Sequence, residues 1–318
     1  MLCLFSTDLK VMLAGRFLQG LGLAAPRCVI VAIVRDQYEG PQMARVMSFV
    51  MTIFIFVPAI APTLGQGILM VAHWRAIFAA LLACGIFTLV WLATRLPETL
   101  PVERRIPFSL TRIKNAIREV CSHRVSIGYT ISLGLISSAF LGYLSSAQQI
   151  FQKQYQLGTL FPLYFAVLAL CIGGASFANG RLVMRFGMQN LSRWSKRIST
   201  VLSLLFFLYV LSVGGLPPLW TLMAYMMAIL FCFGIMYGNL NAMAMEPLGH
   251  IAGVGAAVMG ALSTLISVPC GILIGLSYNG TVIPVISGFT ISGILIVIVM
   301  HWIESAPEKR IMDSDSSE

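Results

Sequence analysis

Charge is what this sequence has least of. Only 10% of its 318 residues are Asp, Glu, Lys or Arg, whereas 58% are hydrophobic, and the mean hydropathy is +0.87. A soluble domain averages about 25% charged and about 45–50% apolar residues. One water-soluble core cannot hide that much apolar surface, so the composition calls for lipid as the solvent. Histidine is scarce too, standing only at His73, His123, His250 and His301. The seven cysteines (Cys3, Cys28, Cys84, Cys121, Cys171, Cys232 and Cys270) are never closer than 25 residues. That spacing excludes a CxxC pair or a zinc-type ligand set formed by sequence neighbours. Most of these cysteines sit in apolar runs, where the thiol acts as a small hydrophobe. No nucleophilic or metal-ligating cluster can be assembled locally, so the reading is not an enzyme, and no metal or cofactor is expected. A cleavable leader is also absent from this reading, because MLCLFST is followed at once by Asp8 and Lys10, without a basic region or small-residue cleavage site.

Long apolar runs fill the space that charge leaves. A helix needs roughly 20 apolar residues to cross the hydrocarbon. Nine stretches qualify, at about 11–34, 46–71, 76–95, 125–147, 160–180, 198–216, 219–241, 251–276 and 281–302. They do not alternate as barrel strands would. The fold class expected is therefore all-α, a polytopic transmembrane bundle of nine helices. The net charge of +9 would point to nucleic acid in a soluble protein, but basic residues of membrane proteins gather in cytoplasmic loops. Residues 35–45, 95–124, 181–197 and 303–318 hold 16 of the 21 Lys and Arg, and Lys10, Arg75 and Lys153 lie on the other side. The positive-inside rule makes the first side cytoplasmic and places the C-terminus there. The partners expected are the lipid bilayer and a small-molecule substrate, without nucleic acid, and the chain is expected to be a monomer.

The polar stretch 96–124 divides the chain. Pro97, Pro101 and Pro107 keep its start irregular. Leu110, Ile113, Ile117 and Val120 then recur at helical spacing between Arg112, Lys114 and Arg118. Two readings stand for this part, a short helix on the membrane surface and a solvated linker. The expected organisation is three spans in 1–95, a cytoplasmic linker at 96–124, six spans in 125–303, and a disordered tail at 304–318.

Two of the spans carry residues unusual for lipid. GRFLQGLG places Arg16 in an apolar run, where a charge at mid-depth costs about 2.5–3.5 kcal/mol and needs a partner or water. Gln19 lies one turn away on the same face, and Gly15, Gly20 and Gly22 permit close helix approach. Snorkelling to the interface is the other reading for Arg16, and it applies equally to Arg27. In VPAIAPTLGQGI, Pro58 and Pro62 should bend the helix, and Gly65 and Gly67 allow tight packing there, which makes a pivot.

These two stretches resemble signatures of the fourth and fifth helices of the major facilitator superfamily. RDQYEGPQMARVMSFVM, AHWRAIF, LPETL and NLNAMAMEPLGHIAGVGAAVMG are similar to the bicyclomycin/chloramphenicol-resistance (Bcr/CflA) subfamily of drug:proton antiporters. The resemblance implies two six-helix halves, alternating access and efflux of drugs or small metabolites driven by the proton gradient, in a bacterial inner membrane. It lays the nine spans on helices four to twelve, so a chain lacking the first three helices is expected. It also makes Arg16, Gln19, Gly20, Arg27, Pro58, Pro62 and Gly65 the motif residues. Ala61 and Gln66 depart from the general motif, in which both positions are glycine. Polar residues at helical depth, among them Asn179, Tyr237, Asn239 and Asn241, are candidates for the cavity. Arg181 and Arg185 stand one turn apart, and Glu246 is the only acidic residue between positions 120 and 303. Pairing of Glu246 with either arginine would form a cytoplasmic gate; a solvated loop carboxylate is the other reading.

Overall fold

The computed structural model describes residues 2–6, 8–37, 46, 57, 60, 61, 63–96 and 109–305; side chains at 24–32, 34–36, 112, 249, 250 and 252 fall outside that description. Among the described residues the structure is helical, without strands. That follows from the sequence, because a chain in hydrocarbon must satisfy every backbone group internally, and a helix does so within one segment.

The described residues fall into two compact units, Met1–Leu110 with Thr159–Gly173, and Thr111–Gly158 with Gly174–Glu318. The first holds the short α1 (Leu2–Phe5), the 29-residue α2 (Leu9–Gln37), a helical stretch α3 at 63–71, and α4 (Arg75–Arg95). α2 covers the expected first span at 11–34. Half of the expected second span, including most of 47–62, lies outside the described residues. The backbones of α1 and α2 meet where Gly15 leaves room: a Cβ there would stand 2.7 Å from Cys3 Sγ.

The second unit opens with α5 (Leu110–Ser122), so the latter part of the linker is helical. α5 buries Ala116 and Val120, while Leu110 stays 72% exposed. There follow α6 (Arg124–Gln148), extended by a π-turn to Gln154, then α7 (Phe161–Phe186), which belongs to this unit only from Gly174 onward, α8 (Met188–Ser212), α9 (Leu219–Met245), α10 (Ala252–Leu276) and α11 (Ile283–Glu304). Together with α4, these helices and their short continuations are seven segments long and apolar enough to cross a membrane, among the described residues. Each coincides with one of the expected spans.

The expected boundaries need one correction. The basic stretch 181–197 is not a loop, because α7 runs to Phe186 and α8 starts at Met188. The whole turn is Gly187, at φ 76°, a left-handed conformation that a side chain disfavours. Charged residues can continue a helix beyond the apolar run, which an apolar count does not register.

Burial is uneven. Two thirds of the apolar window of α6 is buried, against 22% in α8 and in α10. α6 is therefore central, with α9, α10 and α11 packed on it. The seam with α10 depends on small residues, as close packing of membrane helices does. A Cβ on Gly142 would lie 2.6 Å from Ile274 Cγ2, and one on Gly288 of α11 would lie 2.7 Å from Ile274 Cδ1. Ile274 is thus a knob seated between two glycines. α8 and α10 turn Val201, Leu205, Leu273 and Leu276 outward, all more than half exposed, which gives lipid an apolar surface.

Candidate functional site

In the N-terminal unit, the helical spacing of Arg16 and Gln19 produces the contact expected of it. Arg16 Nη1 donates to Gln19 Oε1 at 3.0 Å, and its guanidinium lies 5.3 Å from the ring centre of Phe78 on α4. The amide and the aromatic face thus share the charge. Gly20 is exposed and leaves open space around it. Arg75, at the start of α4, donates to the Ser6 carbonyl at 3.2 Å and holds the end of α1. Arg27 is in α2, but its side chain lies outside the described residues, as do Pro58 and Pro62. Gly65 is in α3 and is half-buried. The pivot expected around the prolines thus falls outside the described residues.

In the C-terminal unit, Asn179 and Asn239 come together from positions 60 residues apart. Asn179 Nδ2 donates to Asn239 Oδ1 at 2.8 Å, and Asn239 Nδ2 returns a bond to Asn179 Oδ1 at 2.9 Å. This reciprocal pair satisfies both amides and links the second half of α7 to α9. Asn239 is 3% exposed. Tyr237 stacks on Phe233 at 5.6 Å, and Phe233 stacks on Phe140 at 4.8 Å, an aromatic ladder from α9 to α6. Asn241 is exposed and does not join the pair.

The three gate residues are not brought together. Among the described residues, Glu246 forms no ion pair with Arg181 or Arg185. It caps the end of α9 and begins a 3₁₀ turn, Glu246–Ile251, and it is exposed. Arg181 lies over Phe177 at 4.7 Å and Arg185 over Phe186 at 5.4 Å, each on its own helix. The ion pair at this end is instead between α8 and α11, where Arg193 Nη2 meets Glu304 Oε1 at 3.2 Å. Beside it, Arg124 at the start of α6 donates to the Trp302 carbonyl, bonds Ser305 Oγ at 3.1 Å and covers the Trp302 ring.

Between α6, α8, α9 and α11 lies a void of about 30 Å³, whose apolar lining is interrupted by Ser199, Ser203 and Ser292. Ser203 shares a hydrogen bond with the Tyr225 hydroxyl at 2.9 Å and accepts one at its carbonyl from Thr290 Oγ1 at 3.1 Å. Ser292 lies 3.4 Å from Ser138 Oγ. Above this band on α8, Lys196 is 5% exposed. Sequence reading placed Lys196 in a basic loop and so missed it. The sign that could have found it is its register with Ser192, Thr200 and Ser203 on one face of a helix begun at Met188.

Residues 1–274 match the Major Facilitator Superfamily. The chain is 30% identical over 278 residues to an uncharacterized MFS-type transporter, YdgK, of Bacillus subtilis, covering 86% of this chain and 68% of that protein. It is 24% identical over 291 residues to a bicyclomycin resistance protein homolog of Haemophilus influenzae, covering 90% and 71% respectively. A multidrug resistance protein, MdtL, of Shewanella oneidensis is 26% identical over 250 residues, covering 78% and 61%.

Proposed function

The chain belongs to the Major Facilitator Superfamily, and from that premise we propose that it exports drugs or small metabolites in exchange for protons. It is a multi-pass transporter of a bacterial inner membrane. The observation that carries the efflux reading is the similarity along most of the chain to proteins named for bicyclomycin and multidrug resistance. The resistance motifs read in the sequence favour the bicyclomycin/chloramphenicol-resistance branch, and the proton gradient is the energy source of that branch. Alternating access would have the Arg16–Gln19 pair serve the N-terminal unit and the Asn179–Asn239 pair the C-terminal one. The basic ends of α6, α7 and α8 face the cytoplasm on this reading, with the C-terminus beside them.

Expression in a drug-hypersensitive bacterium tests the proposal, with ethidium and chloramphenicol followed in cells and in everted vesicles. Efflux above the empty vector, abolished by a protonophore, is the expected result. Efflux that survives the protonophore removes proton coupling. Efflux equal to the vector, with the protein present in the membrane, removes transport and leaves a folded but inactive membrane protein.

A further inference from the structure

The side chains of α5 fall into strips around its axis at 3.6 residues per turn. Ile113, Ala116 and Val120 form the strip that the protein covers, with Ala116 and Val120 fully buried. Beside it runs a second apolar strip, Leu110, Ile117 and Cys121, and all three are exposed. Lys114 and Arg118, one turn apart and both exposed, border that strip on its far side. The neutral polar Thr111, Asn115 and Ser122 follow, also exposed, with Glu119 beyond them. A helix packed on a protein in water needs one apolar face, and α5 has two adjacent ones. An uncovered apolar strip rimmed by cations suits a helix lying in the membrane interface. Its apolar side chains enter the acyl boundary, and its long basic side chains reach the headgroups.

The position of α5 in the chain brings it to that interface. The membrane-crossing segment α6 starts at Arg124, and only His123 separates it from the end of α5. The backbone of His123 is extended, at φ −84° and ψ 105°, so α5 does not continue the axis of α6. The last turn of α5 is thus held at the mouth of a span, where hydrocarbon gives way to headgroups. From there the helix runs about 20 Å at an angle to the span.

Charge selects the lipid. α5 carries Arg112, Lys114 and Arg118 against the single Glu119. Neither Lys114 nor Arg118 has an ion pair among the described residues. A cation free at headgroup level raises the affinity for an anionic surface about fivefold.

We propose that α5 binds anionic phospholipid. Leu110, Ile117 and Cys121 enter the acyl boundary, and Lys114 and Arg118 bind the lipid phosphates. The contact fastens the start of the C-terminal unit to one leaflet, the cytoplasmic one on the orientation read from charge.

The full chain in nanodiscs tests both parts. The two leaflets of a disc have the same composition, so the result depends neither on orientation nor on transport. I117W and N115W each add one tryptophan, on the apolar strip and on the polar strip. Brominated phosphatidylcholine should quench the fluorescence added by I117W by about half, and aqueous iodide should quench that added by N115W instead. For the headgroups, melting is compared in phosphatidylcholine discs with and without phosphatidylglycerol. At low salt phosphatidylglycerol should raise Tm by about 2–4 °C, and high salt should remove the increment. K114Q/R118Q should lose most of this increment, whereas K153Q, on an exposed lysine at the opposite end of α6, should keep it. Both variants should melt as the wild type does in neutral discs, which separates lost lipid binding from lost folding. Iodide quenching of I117W equal to that of N115W, without an effect of brominated lipid, would make α5 a solvated linker and overturn the proposal. Shielding of I117W from both quenchers would place protein on the strip, with the same consequence. An unchanged phosphatidylglycerol increment in K114Q/R118Q would overturn the role of the two cations.

Discussion

At the scale of single residues, contacts within one helix were legible and contacts between distant segments were not. Arg16 and Gln19 are three positions apart, so helical geometry alone predicts their hydrogen bond. Asn179 and Asn239 were each marked by polarity at depth, but no spacing rule joins residues 60 positions apart. Their mutual pairing also changes what they are, since each amide is already satisfied by the other. Removing one leaves a nearly buried amide unpaired, whereas removing both leaves none. N239A and N179A should therefore each lower stability by about 1 kcal/mol, and the double variant by little more than either. Unfolding of the four proteins in mixed micelles measures this cycle. Additive losses would show that the two amides do not stabilise one another.

At the scale of elements, apolar length located the helices because a bilayer demands a long uninterrupted run. It could not locate their ends, because the basic residues at the start of α8 are helical and a single glycine makes the turn from α7. Nor could it say which helix is central, since α6 and α8 differ in burial far more than in composition. Burial was decided by small residues that admit a neighbour. Ile274 fills the space beside Gly142 and Gly288. G142A should force that side chain to move and destabilise the seam between α6 and α10 by about 1–3 kcal/mol. Pairing it with I274A, which frees the space, should recover part of the loss. Thermal melts of the single and double variants decide the matter. If the second substitution only adds to the damage, steric overlap is not the cause.

At the scale of the molecule, the family was legible from short motifs, and the charge count also gave an orientation that contacts now make testable. In the C-terminal unit, Arg124, Arg193 and Lys196 belong to one end, where the Arg193–Glu304 pair and the Arg124–Trp302 contact tie α6, α8 and α11. The other end is tied without charge. Tyr155 donates to the Pro217 carbonyl at 2.6 Å, and the Val282 amide donates to the Gly215 carbonyl at 3.1 Å, with Lys153 the one basic residue between 125 and 180. Moving the basic end across the bilayer would desolvate a cluster of cations, whereas the opposite end crosses at little cost. Reporter fusions should divide accordingly. Green fluorescent protein joined after Glu318 should fluoresce, as it does only when it folds in the cytoplasm. Alkaline phosphatase joined after Gln156 or Asn279 should be active, as it is only outside. The reversed pattern would mean that charge does not set the orientation of this unit.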